Sequence, residues 1–374
     1  MQVCIAIEKF DPTVGGAERY CWDLAHYLAE RGHALDIICM HAQKPEIDAI
    51  HVNLIQPVRF PQALRHLSFA ILQYLKAQEM PAHIHFCVGN AFFMHIYQPH
   101  GGLHKTWFVR ENLRYSGVVR PCMHLIRRLS PKDMVQRGME WWVFRMTQPE
   151  VIAISGMVAE DIRSAFSYPA AKIHLMPNGI DTGRFSPAKR SKRAEIRARF
   201  GLKDDEFVFV FVANNFALKG FYVLVDACLS MDYTPFKVLV IGEPDCWARS
   251  EARLLSDTIV FGGKVHDLEY VYPACDCLVH PTYYDACSLV VIEALASGIP
   301  VITTEMNGAS MFVGENGRII PPHAPVSLAN AMREMHSKTR KGMEQRAFLP
   351  ESDFRDSSEV FAEIEALMEG MRGT

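Results

Sequence analysis

Short runs of β-branched and aromatic residues alternate along the chain with longer segments in which apolar residues recur three or four positions apart. Residues 3–7 and 34–39 predict strands, because each run is short and rich in apolar strand formers. Between them, residues 17–31 carry apolar side chains at helical spacing, and Gly32 predicts the end of that helix. This strand–helix–strand order indicates a parallel sheet with helices on both faces.

The same alternation continues into the second half of the chain. Residues 84–88 and 151–154 predict further strands of the first sheet. The later strands are predicted at residues 207–213, 237–241, 258–261, 277–280 and 300–303. The run at 207–213 is wholly apolar, which is typical of a strand that is buried on both faces of a parallel sheet.

Proline and glycine interrupt the periodicity at residues 177–181, and a basic, polar stretch follows at residues 187–193. We therefore predict an α/β protein with two Rossmann-like, doubly wound parallel-sheet domains that face a cleft. The expected domains are residues 1–177 and residues 178–350. A C-terminal helix at residues 351–374 is expected to pack back towards the first domain.

Composition narrows the class of protein. The 374 residues are 49% hydrophobic and 22% charged, with a formal net charge of −3, which excludes a disordered chain and a globally basic nucleic-acid binder. The longest wholly apolar run that we find, residues 207–213, is far shorter than the roughly 18 residues of a spanning helix. Residues 1–5 enter a strand pattern directly, so we expect no signal peptide and a cytoplasmic protein whose ten cysteines are reduced.

Two loops after predicted strands carry candidate chemistry in the form of glycines and a lysine. Gly15 and Gly16 open the first helix, where exposed amides favour an anion, although adjacent glycines also occur in plain tight turns. The dinucleotide fingerprint G-x-G-x-x-G is absent, which disfavours a dehydrogenase. Lys219 follows the apolar run at 207–213 and places an ammonium where a diphosphate would need one; the alternative is a solvated surface lysine.

The third loop, at residues 280–294, runs from a predicted strand into a helix. Asp285 precedes the helix, residues 286–289 would present free amides at its start, and Glu293 lies about two turns further on. A carboxylate among apolar neighbours needs a partner, which ribose hydroxyls would supply. The alternatives are an internal salt bridge for Glu293 and a plain N-cap for Asp285.

These motifs together resemble a known family. The segment from Asp285 through Glu293 to residue 301 resembles the signature of retaining glycosyltransferases of the GT-B fold, family four. Residues 15–19 resemble that family's first loop, residues 177–181 its hinge and residues 216–220 its phosphate-binding lysine segment. The matches keep the family's order along nearly the whole chain. Within the family, the chain resembles the lipopolysaccharide core glucosyltransferases that add the first glucose to inner-core heptose.

The resemblance implies a role for each matched residue. Glu293 would hold ribose hydroxyls, Lys219 would neutralise the diphosphate, and the backbone carbonyl of His100 would face the anomeric carbon. Direct roles in catalysis are implied for His100, Asp285 and Lys219. Donor-binding roles are implied for Gly15, Gly16, Asn215, Lys219, Ala286, Cys287, Ser288, Leu289 and Glu293. The first domain would bind the acceptor and the second the nucleotide sugar.

Two departures from the family pattern are visible. This chain has Asp285 where the family usually has glutamate, and it has Ala217 and Leu218 where many relatives have an arginine before the lysine.

A nucleotide diphosphate is already a good leaving group, so charge stabilisation and positioning would suffice for catalysis. The resemblance implies retention by same-face attack. We find no D-x-D metal motif and expect neither a metal nor another cofactor, with a UDP-sugar as co-substrate.

Residues 103–132 differ from the neutral average of the chain. Their basic residues are interleaved with aromatic and aliphatic ones, and Glu111 is the only acid. This pattern suits contact with an anionic membrane surface, and the resemblance implies the inner face of the plasma membrane and a lipid-linked saccharide acceptor. The alternatives for this segment are a helix pair packed on the sheet with a solvated basic face, and a surface that binds phosphates of the acceptor.

For the function of the whole chain, the alternatives are a nucleotide-sugar epimerase and a catalytically weak sugar-nucleotide-binding protein.

Overall fold

The computed structural model describes residues 1–115, 117–231, 235–315, 317–340 and 354–372. The chain forms two compact units. Unit 1 comprises Met1–Asn178 and Ser357–Thr374, and unit 2 comprises Gly179–Asp356. Within the described ranges, no helix is long and apolar enough to cross a membrane.

Each unit is built on a sheet of parallel strands. The strands are β1 Gln2–Ala6, β2 Lys9–Phe10, β3 Ala34–Cys39, β4 His41–Ala42, β5 Ile50–Leu54, β6 Ile84–Cys87, β7 Ile96–Tyr97, β8 Glu150–Ala153, β9 Ile173–Leu175, β10 Val208–Val212, β11 Lys237–Ile241, β12 Ile259–Gly263, β13 Cys277–His280, β14 Val301–Thr304 and β15 Gly317–Ile320. In unit 1 the order is β5-β3-β1-β6-β7-β8-β9, and in unit 2 it is β12-β11-β10-β13-β14-β15. The prediction of two doubly wound α/β domains is confirmed.

Helices connect the strands in both units. They are α1 Gly16–Glu30, α2 Gln62–Gln78, α3 His104–Glu111, α4 Val119–Arg128, α5 Pro131–Trp142, α6 Gly156–Phe166, α7 Arg193–Arg199, α8 Phe221–Leu229, α9 Cys246–Glu251, α10 Leu268–Ala274, α11 Leu289–Ala296, α12 Pro325–Arg340 and α13 Ser357–Met371. The first helix begins one residue before the predicted start. Part of the predicted C-terminal helix, residues 351–353 and 373–374, lies outside the described residues.

The core of unit 1 includes the last helix of the chain. Val360, Ile364 and Met368, spaced four positions apart on α13, are fully buried against the central strands and α1. On the same helix, Glu365 receives Nε of Arg31 at 2.6 Å and Nε2 of His33 at 2.6 Å. Apolar burial and a paired carboxylate therefore fix α13 on unit 1.

The core of unit 2 holds a buried arginine. Arg197 on α7 is fully buried, and its guanidinium donates to Oδ2 of Asp276 at 2.8 Å and to the carbonyl of Ala274 at 2.8 Å. Asp276 also accepts a hydrogen bond from Arg193 at 2.7 Å and one from the backbone N–H of Val208 at 2.8 Å. These bonds satisfy the buried charges and tie α7 to the starts of β10 and β13.

The strand order of each unit reverses at one point. In unit 1 it reverses between β1 and β6, and in unit 2 between β10 and β13. Ligands of doubly wound sheets bind outside the carboxyl ends of the strands at such a switch point, because the adjoining loops there diverge to opposite faces. A ligand site is therefore expected in the loops after these four strands.

Candidate active site

A lysine and an aspartate meet at the switch point of unit 2. Lys219 lies in the loop after β10 and Asp285 in the loop after β13. The ammonium of Lys219 donates to Oδ2 of Asp285 at 2.5 Å, and Nε2 of His280, the last residue of β13, lies 3.5 Å from the same oxygen. Lys219 is therefore not the solvated surface lysine that its sequence context also allowed.

The electrostatics of this cluster favour an ionised aspartate. Burial alone raises the pKa of Asp285, but Lys219 and then His280 more than offset it, so this pKa lies well below its ordinary value. Burial lowers the pKa of His280, which keeps its ring neutral at pH 7. The cluster thus carries one positive and one negative charge. The ammonium of Lys219 could bind a phosphate only while it also contacts Asp285.

A glycine lets the two loops approach each other closely. Gly220, at the start of α8, has a φ of +80°, and a Cβ built there would lie 2.0 Å from the carbonyl oxygen of Pro281. The carbonyl of Leu218 accepts hydrogen bonds from the backbone of Tyr283 at 3.0 Å and the hydroxyl of Thr282 at 3.2 Å. On the lysine side, the side chain of Asn215 accepts the N–H of Leu218 at 3.1 Å, which shapes the turn before Lys219.

The predicted amide cradle at residues 286–289 is less open than the sequence suggests. Helix α11 begins at Leu289, later than predicted, so Glu293 lies one turn from its start. Asp285 is not the N-cap; Ser288 occupies that position. The N–H of Ser288 donates to the buried side chain of Asn307 at 3.3 Å, and the backbone of Asp285 pairs with that of residues 306 and 308. Ala286 and Cys287 are buried in the turn between them.

The partner of Glu293 in this structure is a tyrosine rather than a salt bridge. The hydroxyl of the fully buried Tyr272 on α10 donates to Oε2 of Glu293 at 2.8 Å. Burial raises the pKa of Glu293, and the hydrogen bond from Tyr272 followed by the charge of Arg184 offsets only part of this. A partly buried carboxylate with one oxygen held in this way is suited to accept hydrogen bonds from vicinal hydroxyls.

In unit 1, His100 lies in the loop after β7 and packs against α1. Its ring centroid is 4.4 Å from that of Tyr20, and burial lowers its pKa to about 3, so the imidazole is neutral. The hydroxyl of Tyr20 accepts a hydrogen bond from the buried Gln98 at 3.0 Å, and Gly102 adopts a φ of +68°. These contacts fix the backbone of residues 98–102, the segment whose carbonyl the resemblance assigns to the reacting carbon.

Gly15 and Gly16 lie where predicted, at the start of α1 after β1. Gly15 is the N-cap with extended backbone, and a Cβ there would lie 2.7 Å from Oε2 of Glu18. The carbonyl of Gly15 accepts the N–H of Arg19 at 3.0 Å, so α1 is regular from its first turn. The predicted site residues thus divide between the two units: Gly15, Gly16 and His100 belong to unit 1, and the others belong to unit 2.

Sequence reasoning missed Tyr272 and the role of His280. His280 was visible as the polar last residue of an apolar strand at the switch point, a position that often carries function. Tyr272 gave no such signal, because its partner Glu293 lies 21 residues away on another helix. Each is in direct contact with a predicted site residue.

Comparison with protein families gives two matches that between them span most of the chain. Residues 14–184 match the model described as Glycosyltransferase Family 4, and residues 206–338 match the model described as Glycosyl transferases group 1. An uncharacterized glycosyltransferase of Methanocaldococcus jannaschii is 26% identical over 357 residues, covering 88% of this chain and 87% of that protein. Several other curated relatives align over less than half of their own length.

Solved structures share the fold over its full length. WaaG, a glycosyltransferase involved in lipopolysaccharide biosynthesis, superposes with a TM-score of 0.84 at 18% identity, covering 98% of this chain and 100% of that one. HepE of Anabaena, solved in complex with UDP and glucose, has a TM-score of 0.73 at 18% identity, with 99% of this chain and 99% of that one covered. The chain therefore has the GT-B fold, and its two parts are similar to the Glycosyltransferase Family 4 and Glycosyl transferases group 1 models.

Proposed function

We propose that this chain transfers a hexose, glucose, from UDP-glucose to a lipid-linked saccharide of the lipopolysaccharide core, with retention of configuration. The observation that carries the proposal is the Lys219–Asp285–His280 cluster at the switch point of unit 2. A lysine held there by a shared carboxylate can turn towards a diphosphate without leaving a buried charge unpaired. The structures of HepE with UDP and glucose support the choice of donor.

Each part of the donor has a residue suited to it. Glu293 would accept hydrogen bonds from the ribose hydroxyls, with Tyr272 holding the carboxylate in place. Lys219 would stabilise the charge that develops on the leaving diphosphate, and Asp285 would hold hydroxyls of the transferred sugar. Gly15 and Gly16 would admit the phosphates to the first loop, and the turn at Asn215 and the backbone at residues 286–289 would complete the phosphate contacts.

The reaction needs no protein nucleophile in this scheme. The carbonyl of His100 would stabilise positive charge at the anomeric carbon, and the neutral ring would add no repulsion to that charge. The acceptor hydroxyl would attack from the face that the diphosphate leaves and would pass its proton to that diphosphate. No metal or other cofactor takes part in the proposed reaction.

We also propose that residues 103–132 bind the anionic inner face of the plasma membrane. Helix α4 has no buried residue, and Leu125, Ile126 and Leu129 are each more than half exposed. Some of the basic residues are engaged internally: Arg110 forms two hydrogen bonds with Asp161, and Arg127 pairs with Glu111. Lys105 is exposed but donates to the carbonyl of Ala165 at 3.2 Å. The proposed membrane contact therefore rests on the exposed Arg120 and Arg128, with Lys132 partly exposed beside them.

A thermal-shift screen of nucleotide sugars tests the donor. UDP-glucose is expected to raise the melting temperature of the wild-type protein, because a ligand that binds only the folded state stabilises it. UDP-galactose, ADP-glucose and GDP-mannose serve as comparison donors. Incubation of UDP-glucose with a core oligosaccharide that lacks hexose, followed by NMR of the product, is expected to give the α-anomer. Isomerised free nucleotide sugar would indicate an epimerase, and binding without any turnover would indicate a silent binding protein.

Vesicle sedimentation tests the membrane contact. The variant R120A/R128A/K132A is expected to bind anionic vesicles about a hundredfold more weakly, since each basic residue near such a surface contributes about 1 kcal/mol. The matched control is K189A/R190A/K192A, which removes three basic residues from the stretch at 187–193 of unit 2. Equal weakening of both variants, or equal wild-type binding to neutral vesicles at high salt, would contradict the proposal.

A further inference from the structure

Glu8 in unit 1, like Lys219 in unit 2, lies after the central strand beside the switch point of its sheet. It follows β1, the central strand beside the switch point, and Asn90 follows β6, the strand on the other side of that point. The side-chain amide of Asn90 donates to Oε1 of Glu8 at 2.7 Å. A hydrogen bond between side chains therefore spans the switch point of unit 1, where ligands of this kind of sheet bind.

A histidine from a third element holds the same carboxylate. Nδ1 of His66 on α2 lies 2.8 Å from Oε1 of Glu8, and the side chain of His66 is only 9% exposed. Both contacts involve Oε1, and within the described residues no group donates to Oε2. Burial raises the pKa of Glu8, but the hydrogen bonds from His66 and Asn90 more than offset this, so the group is a carboxylate at pH 7.

The surroundings of Glu8 supply further groups that suit a hydroxyl-rich ligand. Asn90 lines a pocket of about 120 Å³ together with Gly101, Gly102 and Glu140, which is room for a few groups the size of a water molecule. The charge of Arg65 acts on Glu8 and helps to lower its pKa, and the buried Nε of Arg65 is unpaired within the described part of the chain. An anchored carboxylate with a free oxygen, an amide and an unpaired N–H donor together match the donors and acceptors of a sugar.

We propose that Glu8 is a saccharide-binding residue that determines acceptor affinity. Its Oε2 accepts a hydrogen bond from an acceptor hydroxyl, while His66 and Asn90 are positioning residues that fix the carboxylate through Oε1. The inference deepens the proposed function and rests on it. It assigns the neutral, hydroxyl-bearing part of the acceptor to Glu8, since a free carboxylate oxygen repels phosphate and attracts O–H donors.

The test compares E8Q with a matched variant of the same unit. Glu150, at the start of β8, forms an analogous pair with His174 at 2.8 Å, and its side chain is 23% exposed against 22% for Glu8. Because Glu150 begins its strand, it lies at the opposite edge of the sheet, so E150Q breaks a similar pair away from the switch point. The assay measures KM and kcat for a hexose-free, O-deacylated core oligosaccharide, and also the slow hydrolysis of UDP-glucose without acceptor.

We expect E8Q to raise the KM for the oligosaccharide at least tenfold, with UDP-glucose hydrolysis within twofold of wild type. E8D, which keeps the charge on a shorter side chain, is expected to give a smaller rise, and E150Q none. Melting temperatures check that each variant is folded. An unchanged KM in folded E8Q, an equal rise in E150Q, or an equal loss of hydrolysis would each overturn the inference.

A binding measurement separates this inference from the proposed function. If wild type is stabilised by UDP-glucose but transfers nothing, saturation-transfer NMR with the same oligosaccharide decides the role of Glu8. Weaker saturation in E8Q than in wild type and E150Q supports the site even though the acceptor reaction has failed. Equal saturation in all three, or none in wild type, overturns it while leaving donor binding intact.

Discussion

Replacing Lys219 by methionine removes the cation that holds Asp285 ionised inside unit 2. The two groups are 2.5 Å apart, with side-chain exposures of 22% and 16%, so the variant would leave a mostly buried carboxylate without its closest partner. Breaking a buried pair costs about 3–5 kcal/mol, and the partial exposure here favours the lower end, about 3 kcal/mol. For a domain of this size, that corresponds to a fall in Tm of about 6–12 °C.

The pH dependence of this loss identifies its cause. In wild type the pKa of Asp285 is depressed, so its stabilising contribution is present above about pH 4 and is lost as the pH falls through the folded-state pKa. In K219M, burial acts on Asp285 without the lysine, so the Asp285–His280 pair takes up a proton more readily. The deficit of K219M relative to wild type should therefore shrink as the pH falls from 7 to 4.5, by at most about 1.4 kcal/mol per pH unit.

Urea unfolding at several pH values measures this deficit, with two comparison variants. K219M/D285N removes both charges and is expected to recover most of the lost stability, because no buried ion remains. K237M is the matched control: Lys237 is 27% exposed, lies 3.9 Å from Glu206 and donates to the carbonyl of Asp257 in the same unit. Its loss should cost about 1 kcal/mol, because it leaves no buried charge unpaired. A deficit of K219M that stays constant with pH, or that the double variant does not relieve, would refute the reasoning.

Three further changes test other parts of the site. Tyr272→Phe removes the hydrogen bond to Glu293, so the pKa of Glu293 should rise further. Calorimetry should then find that this variant binds UDP about tenfold more weakly than wild type at pH 7, and more weakly still at pH 5.5. Equal affinities of the variant at the two pH values would contradict a role for the ionised carboxylate. Gly220→Ala should cost more than about 2 kcal/mol in urea unfolding, because its Cβ would meet the carbonyl of Pro281 at 2.0 Å, whereas Gly201→Ala, at a φ of +68° with nothing within 4 Å, should cost about 1 kcal/mol. Treatment with EDTA should leave the initial rate of glucosyl transfer unchanged, and restoration of a lost rate by Mg²⁺ or Mn²⁺ would contradict the metal-free scheme.

The sequence predicted the strands well because their signal is local. Strands β3, β11 and β13 begin and end at the predicted residues, since each is a short apolar run bounded by polar residues. The start of α11 was predicted too early because Asn307, from a different loop, takes the N–H of Ser288 and holds the preceding turn outside the helix. Local patterns could not reveal that partner.

Sequence spacing could not predict which side chains pair between neighbouring strands of the sheet. Glu8 and Asn90 are 82 positions apart, and Lys219 and Asp285 are 66 apart. Lys219 and Asp285 were predicted from their loops after strands, and the family resemblance marked both positions, although their contact was not foreseen. Glu8 was not found, because a single glutamate after a strand carries no recognisable motif. Similarly, the basic residues 103–132 gave no sign that Arg110 and Arg127 would be held by acids within unit 1.

The two switch points use the same local arrangement with opposite consequences for a ligand. In each, a charged residue after the central strand bonds to a residue after the neighbouring strand. In unit 2 the first residue is Lys219, whose ammonium can be shared with an anion without breaking its contact to Asp285. In unit 1 it is Glu8, for which the described residues supply no lysine or arginine ion pair. The first arrangement favours an anion and the second disfavours one, so the charges at the strand ends support our proposals that Lys219 contacts the diphosphate and that Glu8 contacts neutral hydroxyls.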